Sequence, residues 1–230
     1  MPRPAEPSPN SGAPTSGAAT PCDSEADRRR AAAAAGHNRD QRAARDALAD
    51  GSGAVRATGL GALARMGALR DDDLLAAAGD PDPRVRARSA ELAPDNMEPH
   101  DASVLLVAAL EDREPSVVEA ACFALGELGP RGGNRAGAVG ALAAVVRNHR
   151  EPLCREAAVA ALGAIGDPTG LPAILEATGD KPAVRRRAVI ALAPFSGEAV
   201  EAALDGALDD RDWQVRQAAE DLTGQRAQRP

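Results

Sequence analysis

Aromatic side chains are almost missing from this chain, which has two phenylalanines, one tryptophan and no tyrosine among its 230 residues. Sheets and barrels usually recruit aromatic and β-branched side chains to their cores, so this scarcity argues against a β fold. The chain is instead rich in alanine and leucine, which are strong helix formers. The sequence therefore predicts an all-α protein.

Lysine and long apolar runs are also scarce, although arginine is abundant. Lys181 is the only lysine, and the formal net charge of −7 does not favour generic attraction to nucleic acid or to an anionic membrane. No apolar run approaches the ~20 residues that cross a bilayer, and the N-terminus has no hydrophobic segment of the kind that directs secretion. We therefore predict a cytoplasmic protein that does not contact membranes.

Cysteine is scarce and has no metal-binding spacing. The three cysteines, Cys22, Cys122 and Cys154, form no C-x-x-C motif. Cys122 and Cys154 stand at apolar positions, so we predict reduced core thiols, which fits a reducing cytosol. No disulfide, metal or cofactor is expected.

A short pattern recurs six times along the chain. Each copy has an apolar anchor, usually valine, commonly preceded by proline two residues earlier and followed by arginine. The anchors lie 30, 32, 37, 30 and 31 residues apart. They are Val55, Val85, Val117, Cys154, Val184 and Val215. Self-similarity at this period predicts a stack of supersecondary units in place of a single globular core.

Each unit is predicted to contain a first helix, A, and a second helix, B, which carries the anchor. The prolines Pro83, Pro115, Pro152 and Pro182 suit the first turn of a B helix, where a missing N–H costs nothing. The predicted A helices cover 39–49, 71–78, 101–111, 136–147, 170–178 and 197–208. The predicted B helices cover 53–66, 82–93, 115–128, 151–164, 181–193 and 211–223. Glycines twelve residues after an anchor, Gly67, Gly129 and Gly166, are predicted to end B helices in the left-handed conformation.

The composition divides the chain into four parts. Residues 1–24 are rich in proline, serine, glycine and alanine and are predicted to be a disordered tail. Residues 25–38 allow a short helix and a connector. The repeat domain is predicted to cover 39–224, with a C-terminal tail at 225–230.

Three stretches carry a family resemblance: DPDPRVRARSAEL (80–92), PLCREAAVAALGAIGD (152–167) and KPAVRRRAVIAL (181–192). They resemble the HEAT repeat, and most closely the bacterial HEAT-like repeats of the phycobilin-lyase type. The resemblance implies a right-handed α-α superhelix, a solenoid of about six helix pairs, with the B helices on the concave side.

The resemblance also implies a structural ladder between neighbouring units. Its members are the acid five residues before the anchor and the arginine one residue after it. They are Asp50, Asp80, Asp112, Asp210, Arg56, Arg86, Arg155, Arg185 and Arg216. Val118, His149 and Gly179 depart from this pattern, which predicts softer interfaces around repeats three to five.

Enzymes built on this kind of repeat have features that can be sought here. Deoxyhypusine hydroxylases use His-Glu dipeptides to hold iron, but none of His37, His100 and His149 is followed by glutamate. Alkylpurine DNA glycosylases need aromatic residues beside a carboxylate. Only Trp213 with Asp212 could serve, and we interpret Trp213 as a packed terminal cap. No catalytic, cofactor-binding or metal-binding residue is therefore predicted.

A candidate partner-binding surface lies on the B helices of repeats three to five. Positions two and six after the anchor point away from the core at 3.6 residues per turn. With the neighbouring Arg187, the candidate residues are Glu119, Phe123, Glu156, Ala160, Arg186, Arg187 and Ile190. The three apolar members would form a strip flanked by charge, typical of partner binding, unless helix A covers it. Arg185, Arg186 and Arg187 form a basic cluster that is either an anchor for an acidic partner segment or a solvated helix turn with one ladder member.

We therefore predict a non-catalytic scaffold or adaptor that binds a protein partner on the concave face of the solenoid. The partner and the oligomeric state stay open, with a monomer favoured. One alternative is a HEAT-like enzyme or enzyme subunit, such as a lyase or oxidoreductase. The other is a nucleic-acid-associated repeat protein that uses the arginine ladder.

Overall fold

The structure is a computed structural model. It describes residues 24–227, apart from the side chains of Pro130, Arg226 and Ala227. The described part is entirely helical and contains no strand. The α-helices are α1 Glu25–Asn38, α2 Gln41–Asp46, α3 Gly53–Arg65, α4 Asp71–Ala78, α5 Pro83–Asn96, α6 Pro99–Ala109, α7 Pro115–Leu128, α8 Arg135–Asn148, α9 Pro152–Ile165, α10 Leu171–Ala177, α11 Pro182–Ala191, α12 Glu198–Leu208 and α13 Trp213–Ala227. The predicted tail at 1–24 lies outside the described residues except for Ser24, and residues 228–230 also lie outside.

The helices form two layers of a right-handed α-solenoid, as predicted. The odd-numbered helices from α1 to α13 are the B layer, and each packs against the next along the chain. The even-numbered helices from α4 to α12 pack against one another as the A layer. Contacts within the B layer are more extensive than those within the A layer.

The helix boundaries follow the prolines and glycines of the repeat. Pro83, Pro115 and Pro152 are the first residues of α5, α7 and α9, where proline's fixed φ suits the first turn. Gly67 and Gly166 follow α3 and α9 with φ of 66° and 65°. In this left-handed region glycine has no Cβ to clash, so it ends the helix without strain.

Helix α1 is the first member of the B layer, although the sequence analysis placed it before the repeats. Its residues Ala32 and Ala35 are buried, and α1 packs against α3 as the later B helices pack against each other. Arg28 of α1 pairs with Asp50 at 2.7 Å. The layer therefore begins before residue 39.

A repeated contact, which we call a rung, connects neighbouring units. The Arg56 guanidinium donates to both carboxylate oxygens of Asp80, from Nε at 2.8 Å and from Nη2 at 2.6 Å. Its Nη1 donates to the carbonyl oxygen of Asp50 in its own unit at 2.8 Å. Asp80 Oδ1 also accepts from the backbone N–H of Asp82 at 2.8 Å, so one rung fixes two loops and one helix start.

The same geometry recurs along the stack. The other arginine–carboxylate pairs are Arg28–Asp50, Arg86–Asp112, Arg155–Asp180 and Arg185–Asp210. Hydrogen bonds from the arginines hold the pKa of Asp112, Asp180 and Asp210 below the usual value for aspartate. These carboxylates are therefore charged throughout the neutral range. In the last unit Arg216 Nη1 donates to the carbonyl oxygen of Asp210 at 2.7 Å.

The expected break at Gly179 is wrong. Asp180, one residue later, supplies the carboxylate and receives Arg155 Nε at 2.6 Å. The loop before α11 places its acid four residues before the anchor, one fewer than in the other units, and the rung forms all the same.

The junction of α7 with α9 does lack the arginine–carboxylate pair. Val118 is fully buried where the other units have arginine, and His149 stands where they have aspartate. His149 Nδ1 accepts from the backbone N–H of Glu151 at 3.2 Å, which replaces the local bond that Asp80 makes to Asp82. Arg155 Nη1 donates to the carbonyl oxygen of His149 at 2.8 Å.

A glycine sets the spacing between α9 and α11. A Cβ added at Gly163 would lie 2.8 Å from Ala191 Cα and 2.7 Å from Ala191 Cβ, closer than real side chains approach. The two helices can therefore come this close only because residue 163 has no side chain.

Candidate partner-binding surface

The B helices present two large apolar side chains to solvent in the predicted row. Phe123 on α7 is 68% exposed and Ile190 on α11 is 46% exposed, so no A helix covers them. Ala160 on α9, which lies between them in the repeat register, is half-buried. Exposed apolar side chains are informative where they line up on one face, as these two do in the repeat register, and not where they are scattered singly.

Acidic side chains surround Phe123. A cleft of about 470 Å³ is lined by Glu91 of α5 and by Glu119, Phe123 and Glu127 of α7. Glu119 is half-buried, whereas Glu91 and Glu127 are exposed. Arg88 pairs with Glu91 at 2.7 Å. Glu119 was predicted for this surface, whereas Glu91 and Glu127 were not. Glu91 lies six residues after the anchor of repeat two, outside repeats three to five, and Glu127 lies ten residues after its anchor Val117.

Glu156 on α9 lies between this acidic cleft and a basic part of α11. Its Oε1 is 3.3 Å from Arg187 Nη2 and 3.9 Å from Arg186 Nη2. The predicted residues Glu156, Arg186 and Arg187 are thus brought together across the α9–α11 junction. One carboxylate faces two guanidinium groups, so positive charge is in excess there.

Trp213 lies open to solvent, and its interpretation as a packed cap is wrong. It is 64% exposed at the first residue of α13. It lines a cleft of about 530 Å³ between α11 and α13 together with Ile190, Arg186 and Arg187. No described residue packs over the start of α13 closely enough to bury the indole.

The two described cysteines are structural. Both Cys122 and Cys154 are buried, and burial raises the pKa of Cys122 and raises that of Cys154 to about 11. The thiols are therefore neutral and poorly nucleophilic at neutral pH. Cys154 Sγ lies 3.4 Å from the carbonyl oxygen of Pro115, across the α7–α9 junction.

Within residues 24–227, no group of three or more histidine, cysteine, aspartate or glutamate side chains could hold a metal ion. In the same part of the chain, no helix has the length and apolar character needed to span a membrane.

Comparison with known proteins agrees with this architecture. The family model of HEAT repeats matches residues 102–193 and 139–222, which together cover just over half of the chain. The chain therefore belongs to the HEAT-repeat family. No curated protein matches the sequence.

Two solved structures with TM-scores above 0.5 show the same fold. YibA of Escherichia coli has 16% identity, a TM-score of 0.63, and the match covers 83% of this chain and 73% of YibA. An engineered protein has 22% identity and a TM-score of 0.52, with 86% and 97% of the two chains covered. Human deoxyhypusine hydroxylase has 23% identity and a TM-score of 0.47, with 91% and 82% covered. At these identities the similarity defines the fold alone.

Proposed function

We propose that this protein is a non-catalytic scaffold that binds a protein partner on the concave face of the B helices, in repeats three to five. The observation that carries the proposal is the exposure of Phe123 and Ile190 beside charged side chains on that face. Buried aromatic and aliphatic anchors within a polar rim are what protein interfaces use. The partner would cover both side chains on binding.

The experiment compares two faces of the solenoid. The protein would be captured from its native host as wild type, as the Phe123→Ala/Ile190→Ala double variant and as Leu75→Ala. Leu75 is 55% exposed on α4, in the A layer, and so serves as a matched control. We expect the double variant to lose a partner that Leu75→Ala retains.

Two results would contradict the proposal. Equal recovery of the partner by all three proteins would exclude the B-helix face as its binding surface. A stoichiometric metal or chromophore in the purified protein would contradict the non-catalytic assignment and favour an enzyme or enzyme subunit.

A further inference from the structure

The cleft between α11 and α13 has the length of an extended peptide. Its lining residues on α13 run from Trp213 to Gln225, and those on the opposite wall run from Arg186 to Ile190 on α11 and to Ala193 just after it. Twelve residues of α-helix rise about 18 Å, which an extended chain covers with about five residues. The cleft volume of about 530 Å³ also falls within the range of about 300–1,000 Å³ typical of ligand sites.

The α11 wall of this cleft offers unused positive hydrogen-bond donors. Arg186 and Arg187 share the single carboxylate of Glu156, at 3.9 and 3.3 Å. The Nε atom of Arg187 is buried and has no hydrogen-bond partner among the described residues. A guanidinium has five N–H donors and no acceptor. The side chains of Arg186 and Arg187 are 35% and 38% exposed, so the donors on their exposed side are open to a further carboxylate.

The α13 wall is different in chemistry. Trp213 gives it a large exposed apolar surface, which Ile190 extends from the opposite side. The acidic group on this wall, Asp221, already accepts from Gln217 Nε2 at 2.9 Å. This bond from a neutral amide does not cancel the charge of the carboxylate, so the preference of the cleft comes from the α11 wall, where an incoming carboxylate would meet two guanidinium groups and an incoming cation two like charges.

From these observations we infer that the α11–α13 cleft binds an extended protein segment in which an acidic residue stands next to an aliphatic one. The carboxylate accepts hydrogen bonds from Arg186 and Arg187, and the aliphatic side chain packs against Trp213 and Ile190. The inference rests on the proposed scaffold function, extends the binding face to repeat six and specifies the chemistry of the bound segment.

Trp213 reports directly on this cleft, because it is the only tryptophan and the chain has no tyrosine. The probe is a short peptide of alternating glutamate and leucine, free of tryptophan and tyrosine. Its matched control has lysine in place of every glutamate. We expect a saturable change in Trp213 emission with the acidic peptide, weakening as salt is added, and no such change with the basic peptide.

Variants assign the response to the two arginines. We expect Arg186→Gln/Arg187→Gln to weaken binding of the acidic peptide at least tenfold, with circular dichroism checking that the helices are intact. Arg150→Gln is the control, because Arg150 is 80% exposed and does not line the cleft. It should bind the peptide as the wild type does.

Several outcomes would overturn the inference. These are equal responses to both peptides, no response to either, or an emission change that depends on protein concentration alone, which would indicate that a second copy fills the cleft. If the peptide fails while Phe123→Ala/Ile190→Ala still loses the native partner, this inference falls and the proposed function stands.

Discussion

Two successive junctions of the B layer, α5–α7 and α7–α9, are held together by different contacts. The first has a rung, in which Arg86 pairs with Asp112 and also donates to the carbonyl oxygen of Asp80 at 2.9 Å. The second has buried Val118 and a histidine in those places. Buried apolar contact can therefore take the place of a rung at a junction between neighbouring B helices.

The largest expected effect comes from removing a rung. In Arg86→Ala the carboxylate of Asp112, whose side chain is only 12% exposed, would lose its partner. We expect the free energy of unfolding to fall by about 3 kcal/mol, as when one member of a largely buried ion pair is deleted. Chemical denaturation measures this. Arg150→Ala, on an 80% exposed side chain, should change it by less than about 0.5 kcal/mol. Equal effects of the two substitutions would contradict a structural role for the rung.

The second prediction concerns building a rung where none exists. Val118→Arg alone should cost about 2 kcal/mol, because it buries a guanidinium without a partner. Adding His149→Asp should recover at least about 1 kcal/mol by supplying the carboxylate. A double-mutant cycle measured by denaturation gives the coupling energy. If there is no coupling, then the α7–α9 junction has a geometry that cannot accept a rung.

These comparisons also show what the sequence could and could not predict. Helix starts at Pro83, Pro115, Pro152 and Pro182 were predictable, because proline restricts itself to a few positions in a helix. Asp180 was missed because it lies four residues before its anchor, one fewer than the acids of the other rungs. The arginine side chain is long enough to reach across this one-residue shift, whereas a fixed spacing rule does not allow for it.

The exposure of Trp213 was missed for another reason. Burial of a helix start depends on the helices that pack around it, and the local spacing of residues within one unit carries no information about that packing. Exposure of Phe123 and Ile190 could be anticipated from the helical period, since both lie opposite the anchor of their own helix. Whether an A helix covered them depended on the curvature of the stack.

Acid should remove the contribution of the rungs. The pKa values of Asp112, Asp180 and Asp210 are lower in the folded protein than the ordinary unfolded value of about 3.9. Stabilisation is therefore complete above that value and is lost as the pH falls through the lower folded pKa values. We expect the urea midpoint to fall from about pH 5 downward, and to fall less steeply in Asp112→Asn. A midpoint that holds or rises in acid would contradict this.

The smallest effect concerns local opening of the junction without a rung. In a Cys22→Ser/Cys122→Ser background, Cys154 should react with a thiol reagent only after α9 opens, because it is buried with a pKa of about 11. We expect the free energy of the opening that exposes Cys154 to the reagent to be about 1 kcal/mol lower than the free energy of global unfolding.

The matched control moves the reporter to a junction that has a rung. Val184 occupies the same anchor position in α11 and is also fully buried. Val184→Cys in a background without the native cysteines should be labelled only with global unfolding. Equal protection at both positions would show that apolar packing holds the α7–α9 junction as firmly as the other.

Each rung uses only parts that its two neighbouring units supply. An additional unit of the same pattern could be inserted between α3 and α5. It would supply its own arginine and its own acid, and would therefore form a rung with each of its two neighbouring units. Evolution or engineering could therefore lengthen the array in whole units, and every added unit would lengthen the exposed face of the B helices.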